Sequence, residues 1–270
     1  MSVSPSAYYK WKSGSSSQRF QENKHIASLI EKIHIDSPDK GYRRIHDDLK
    51  RFHNVHSNDK RILRICRSLG IQSTVKFHPA SCTRHARTPQ HYSENILNRE
   101  FHAEKPNEKW LTDVTEFKYY EGPRVKKVYL SAILDLYDRR IVAFAIRDTN
   151  DNKLVFDTFA KAVQRNPDAH PIFHSDRGFQ YTNRYFYQRL VNAGMTQSMS
   201  RVGRCIDNGP MEGFWGILKR ERYYGKRFTN RTELVKMIRS YIHYYNTKRL
   251  QRNLGALTPM EKHDRYLKTD

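Results

Sequence analysis

Three acidic residues stand in sequence contexts suited to a reactive edge. Asp113 lies in WLTDVTEF, Asp176 in FHSDRG and Glu212 in NGPMEGFW. The apolar run PIF just ahead of Asp176 reads as a buried strand delivering a carboxylate to a sheet edge, where sites are usually built. Asp176 and Glu212 are separated by 35 residues, and carboxylates far apart in sequence converge when two strands and a helix carry them. Hard oxygen donors of this kind suit Mg²⁺. Two such ions, about 3.5–4 Å apart, activate an attacking oxygen and stabilise a leaving one during in-line displacement at phosphorus. Spacing alone equally allows three surface acids among the 28 of the chain.

The charge balance fits a phosphate-bearing substrate. Lys and Arg number 49 against 28 Asp and Glu, a net charge of +21. Such an excess costs self-repulsion in the compact state, which a polyanion relieves, so nucleic acid is the expected partner. The excess is +8 over residues 1–108, +4 over 109–200 and +9 over 201–270, so basic flanks bracket a less basic middle that holds Asp176. Mean hydropathy is −0.86. Cys66, Cys82 and Cys205 are too few and scattered for a disulfide framework, which points to a reducing compartment and hence the cytoplasm. No apolar run approaches a membrane span and the polar start lacks a signal-peptide core. His78, Cys82, His85 and His91 lack the paired-ligand spacing of a zinc site.

Two kinds of element must position these residues. After a Ser-rich opening expected to be mobile to about residue 18, Ile26, Leu29, Ile30 and Ile33 keep helical spacing. Two short amphipathic helices follow, one marked by Ile45 and Leu49. The other is marked by Ile62, Leu63, Ile65 and Leu69, with Ser57 as expected N-cap and Gly70 as stop. The pair reads as a helix-turn-helix-like module with Lys60, Arg61, Arg64 and Arg67 on its second helix, set for DNA or merely solvated. The organisation is therefore an N-terminal arm and helix (1–40), a helix-turn-helix-like module (41–75), a Pro-punctuated linker (76–108) and a core (109–265).

From Lys109 the pattern turns to strands: KWLTDVTEFKYY, VKKVYLSAILDLYD and RRIVAFAIRD, then helix, strand, helix and strand in alternation. The fold class is α/β, a mixed sheet flanked by helices. Asp207 and Asn208 are placed to cap the helix of Glu212, and Pro210 is tolerated in its first turn. Lys219, seven residues or about two turns on, falls on the face of Glu212. Phe214, Ile217 and Leu218 form the packing stripe. Trp215 reads as core or as a base-stacking residue, and Asp135 as a structural acid. Tyr241, Tyr244 and Tyr245 read as packing, with Lys248, Arg249 and Arg252 turned toward DNA.

HSDRGFQYT, SMSRVGRCIDNGPMEGFWGILKRE and YIHYYNTKRLQRNLGALTP resemble the core of OrfB-type transposases of the insertion-sequence-three family, members of the wider integrase superfamily with a D, D, 35, E arrangement. The likeness runs from about Lys109 to Met260, and GYRRI through RSLG resembles the family's upstream helix-turn-helix-like segment. The resemblance implies a ribonuclease-H-like fold in which Asp113, Asp176 and Glu212 bind two Mg²⁺ ions, with Mn²⁺ able to substitute. It implies nicking at the 3′ ends of an element, then attack by the freed 3′-OH on a second phosphodiester, with no covalent enzyme intermediate. Lys219 matches a basic position expected to touch DNA, and His174 and Arg177 flank Asp176 as further candidates. Double-stranded DNA and a dimer or larger homo-oligomer are the implied partners. Because Met1 stands just before VSPSAYYKWK, the upstream OrfA part is expected to be absent and to come from an OrfA product or fused chain. Gly213 stands where the family more often has Ser. A DNA-binding regulator without catalysis, or a nuclease of the same fold, remains the alternative.

Overall fold

The structure, a computed structural model, describes residues 4–12, 17–75, 91–202 and 204–268. The chain divides into two units, Met1–Val75 and Lys76–Asp270.

In the first unit α1 (Pro5–Lys12) stands in the stretch expected to be mobile, followed by α2 (Gln18–Asp36), α3 (Tyr42–Phe52) and α4 (Asp59–Ser68). The apolar positions named above close into one core: Ile26, Ile30 and Ile33 of α2 meet Ile45 and Leu49 of α3 and Ile62, Ile65 and Cys66 of α4. The N-cap of α4 is Asn58, one residue beyond the expected Ser57, and its side chain accepts from Arg61 N at 2.8 Å. Ser57 instead supplies its carbonyl to His46 Nε2 at 2.8 Å.

The second unit is built on a sheet of β1 (Lys109–Glu121), β2 (Arg124–Asp135), β3 (Ile141–Arg147), β4 (Ile172–Ser175) and β5 (Thr196–Met199), in the order β3-β2-β1-β4-β5. β1, β2 and β3 are antiparallel neighbours, whereas β4 runs parallel to β1 and β5 parallel to β4. The β1–β2 hairpin turns through Gly122 at φ +59, a left-handed conformation that glycine adopts without steric cost. Strand alternation sends Leu111 and Phe117 to one face, where they pack with Phe214, Leu218, Leu234 and Ile238. Those residues belong to α7 (Gly209–Leu218) and α8 (Arg231–Thr247). On the other face Trp110 and Phe173 pack with Phe159, Phe186 and Leu190, from α5 (Asn152–Arg165) and α6 (Arg184–Asn192). α9 (Pro259–Leu267) opens on a capping box at Thr258 and Glu261. This is the expected α/β sheet flanked by helices, with the ribonuclease-H-like strand order. Among the described residues no helix is long and apolar enough to cross a membrane.

Residues 91–108 are not a free linker. They lie along the β5 side of the sheet: His91 N donates to Thr182 O at 3.0 Å, Met199 N to Glu94 O at 3.1 Å and Leu97 N to Ser198 Oγ at 3.1 Å. Leu97 and Ala103 are buried in the core. A strap of this kind satisfies the outward groups of an edge strand without any periodicity of its own, so the sequence pattern does not reveal it. His78, Cys82 and His85 lie outside the described residues; His91 stacks on Tyr187 with ring centroids 3.8 Å apart.

Candidate active site

Asp113 is the fifth residue of β1 and shares the strand face of Leu111 and Phe117, so its carboxylate points under α7. There the indole Nε1 of Trp215 donates to Asp113 Oδ2 at 3.0 Å. Asp176 follows the last residue of β4 and is fixed by an Asx-type turn, Gly178 N donating to its Oδ1 at 2.8 Å. A Cβ on Gly178 would meet that same oxygen at 2.9 Å, so any other residue there would push the Asp176 carboxylate aside. Glu212 lies in the first turn of α7 with its side chain exposed.

The three carboxylates feel one another. Burial, then the negative charge of Asp176 and, more weakly, that of Glu212 push the Asp113 carboxyl up to about 8. Partial desolvation and the charge of Asp176 also raise Glu212. Below them the hydroxyl of Tyr181, hydrogen-bonded to Thr112 Oγ1 at 3.1 Å, is buried and raised, again in part by Asp113 and Asp176. Among the described residues, no three of the Asp, Glu, His and Cys side chains stand close enough together to hold a metal ion as placed. The fit to a divalent ion rests instead on the donor set: hard carboxylate oxygens whose mutual repulsion only added positive charge would relieve.

The sign of this repulsion is testable. With the Asp113 carboxyl raised from an ordinary 3.8 to about 8, the folded chain carries one proton more than the unfolded chain between those values. In EDTA its contribution to stability therefore falls as pH rises across that window, by at most about 1.4 kcal/mol per pH unit. Urea unfolding of Asp113→Asn beside the parent should show a flatter pH profile. An identical slope in both would mean that Asp113 is ionised throughout.

Asp207, expected as a cap of α7, has another task. The N-cap Asn208 makes no side-chain cap bond. Asp207 is fully buried and accepts from Arg99 Nε at 2.6 Å, from Arg201 Nε and Nη2 at 2.9 Å each, and from Asn95 Nδ2 at 3.1 Å. The two guanidinium groups hold its carboxyl well below the ordinary range, Arg201 more than Arg99. Asn208 Nδ2 in turn donates to Thr112 O at 3.0 Å, beside Asp113. These bonds tie the strap, the loop after β5 and β1 to the start of the helix that carries Glu212.

Several residues expected at DNA are placed otherwise. His174 is buried between the side chains of Ser198 in β5 and Ser200 just after it, Oγ at 2.9 and 3.1 Å, and burial lowers its pKa to about 4. It is a neutral core residue and offers phosphate no charge. Arg249 is largely buried and forms a forked pair with Glu221, Nη2 to Oε1 at 2.9 Å; Tyr241 donates to the same carboxylate at 2.8 Å. Its charge is spent inside the fold. Arg61 donates to Asn23 and Glu22, each at 2.9 Å, joining α4 to α2. Lys219 does not continue α7: the helix widens into a π-helical turn over Lys219–Tyr223, and Lys219 Nζ sits 5.2 Å from the Phe117 ring centre. Arg177 donates to Ser200 O at 2.9 Å and stacks over Tyr92. Lys60, Arg64, Lys248 and Arg252 have exposed side chains. Lys60 and Arg64 line a groove with Arg19, Ser57 and Asn58.

Comparison with known proteins agrees with this architecture. The integrase core domain matches residues 103–205 and again 212–267, and an HTH-like domain matches 21–77. An uncharacterized transposase-like protein of Haemophilus influenzae is 42% identical over 210 residues, 76% of this chain and 93% of that one. The putative transposase InsK for insertion sequence element IS150 of Escherichia coli is 35% identical over 255 residues, 94% of this chain and 87% of that one. Among solved structures, the HTLV-2 integrase catalytic core domain in complex with magnesium aligns with 60% of this chain and 99% of that one, at 18% identity and a TM-score of 0.46. The strand order, not that alignment, carries the fold. With a helix-turn-helix-like unit ahead of an integrase core, and relatives above 30% identity matched over most of their length, the chain belongs to the OrfB-type transposases of the insertion-sequence-three family.

Proposed function

We propose that the chain catalyses Mg²⁺-dependent nicking at the 3′ ends of an insertion sequence and joins the freed 3′-OH to a second phosphodiester. The observation that carries this reading is the electrostatic coupling of Asp113, Asp176 and Glu212, delivered by β1, the end of β4 and α7. These three side chains would hold two Mg²⁺ ions, with Mn²⁺ able to substitute. When bound, the ions activate the attacking oxygen and stabilise the leaving one. Trp215 fixes the Asp113 carboxylate by donating to its Oδ2. The turn at Gly178 orients Asp176, while α7, anchored through Asp207 in the turn ahead of it, carries Glu212 in its first turn. The first strand transfer then joins one element end to the other before integration.

Duplex DNA at the element ends and at the target is the substrate, with Lys60 and Arg64 of the first unit and Lys248 and Arg252 of the second as phosphate contacts. Arg177 and Lys219 reach the site after leaving their present partners. Two ends must be brought together, which calls for a homo-oligomer, joined by an OrfA product or working as a fused chain. The standing of the three carboxylates apart as placed favours one other reading, a DNA-binding subunit without catalysis. Incubation of the purified chain with Mg²⁺ and a labelled duplex ending in the element's inverted repeat separates the readings. Nicking with a joined product supports the transposase, nicking alone a nuclease, and shifted DNA with neither a binder.

A further inference from the structure

A second charged surface lies away from the carboxylates. β3 is an edge of the sheet, and a groove of ≈ 570 Å³ runs along it between α5 and α8. Arg147 of β3, Lys161 and Arg165 of α5, and Arg231 and Arg239 of α8 line it, against the acids Asp148 and Asp157. The acids are taken up locally, Asp148 by Arg231 at 2.5 Å and Asp157 by Arg147 at 3.5 Å. Among the described residues, Lys161 and Arg165 reach neutral backbone carbonyls, Phe144 O at 3.5 Å and Val142 O at 3.1 Å, and no carboxylate. Arg239 is exposed, and no ion pair engages it among the described residues. Among the described residues, these three positive charges in the concave site therefore have no acidic partner.

Protection of the sheet edge accounts for part of this, since basic side chains commonly blunt an exposed strand. It explains Lys161 and Arg165, which cover β3 carbonyls, but not the α8 cations across the groove. A second copy of the chain is a poor occupant for this face. A two-fold interface sets a patch against itself, and here it would oppose like charges, which costs several kcal/mol. A phosphodiester backbone has the complementary charge. The row Asp113–Ala132–Phe144 crosses the sheet, so the groove lies level with Asp113 and two strand spacings away, about 10 Å.

We infer that this groove binds the phosphate backbone of duplex DNA outside the reacting phosphodiester, through Lys161, Arg165 and Arg239. The choice of DNA as polyanion rests on the proposed function; the site itself does not depend on Asp113, Asp176 or Glu212. The test is binding of a fluorescent 30-bp duplex of arbitrary sequence by the full chain in EDTA, from 50 to 200 mM salt, for the parent and for Lys161→Ala with Arg239→Ala. Loss of two phosphate contacts should lower affinity for every sequence and reduce the slope of log K against log salt by about 1.8. The single variant Arg239→Glu, at an exposed position, should act the same way and guards against misfolding of the double variant. Unchanged affinity and slope in both overturns the inference. So does unchanged DNA binding with new self-association on sedimentation, which would make the cations an edge guard. Cleavage by the Glu212 variant is read separately, so failure here leaves the proposed chemistry standing, and the reverse also holds.

Discussion

Glu212→Gln should abolish nicking and joining of an end-labelled duplex in Mg²⁺ while leaving duplex binding and the thermal midpoint unchanged. The substitution keeps the shape of the side chain and removes its negative charge. Glu212 is exposed in the first turn of α7, and surface changes of this sort shift stability by no more than about 0.5 kcal/mol. The chemical cost is far larger. Ions that stabilise an attacking and a leaving oxygen are worth several kcal/mol of transition-state charge, so loss of one ligand at ~4 kcal/mol lowers the rate about 10³-fold. Gel quantification of nicked and joined products over a Mg²⁺ titration checks this. Residual activity within tenfold of the parent would remove Glu212 from the site.

Trp215→Phe should raise the Mg²⁺ concentration needed for half-maximal nicking by about 10–100-fold, the usual cost of removing a residue that orients a metal ligand. Phe keeps an aromatic ring beside Phe214, whose centroid is 5.1 Å from that of Trp215, and deletes the N–H that donates to Asp113 Oδ2 together with part of the buried indole, so the thermal midpoint is read alongside. A purely structural role would lower the thermal midpoint and leave the metal dependence alone. A positioning role moves the Mn²⁺ dissociation constant, read by electron paramagnetic resonance, with the fold intact. Trp215 lies three residues after Glu212, so one helix carries a ligand and the group that orients another.

The sequence patterns that hold are those with a period. The helical spacing of Ile26, Ile30 and Ile33 and the strand runs from Lys109 onward anticipate α2 and the sheet, because burial of one face imposes the repeat. The candidate carboxylates are legible because motifs in a fixed order surround them, although their spacing alone does not separate them from surface acids. What stays hidden depends on partners remote in sequence. Arg249 reads as a basic residue beside tyrosines until Glu221, on a different helical segment, takes its charge. His174 stands two residues before Asp176, yet β4 lies between β1 and β5, so its histidine is enclosed by Ser198 and Ser200. Trp215 reads as core or as a stacking residue, since its indole N–H finds Asp113 only once α7 docks on β1. The strap at 91–108 and the arginines on Asp207 are invisible for the same reason: they satisfy single groups rather than a repeating face.

Everything chemical in this reading requires the side chains of residues 113, 176 and 212 to share divalent ions. Anomalous scattering from crystals of the full chain grown with Mn²⁺ and a duplex ending in the element's inverted repeat measures that directly. Two manganese peaks ligated by Asp113, Asp176 and Glu212 are the expected result. Manganese bound elsewhere, or density in which Glu212 stays turned away from both aspartates with DNA in place, would contradict it.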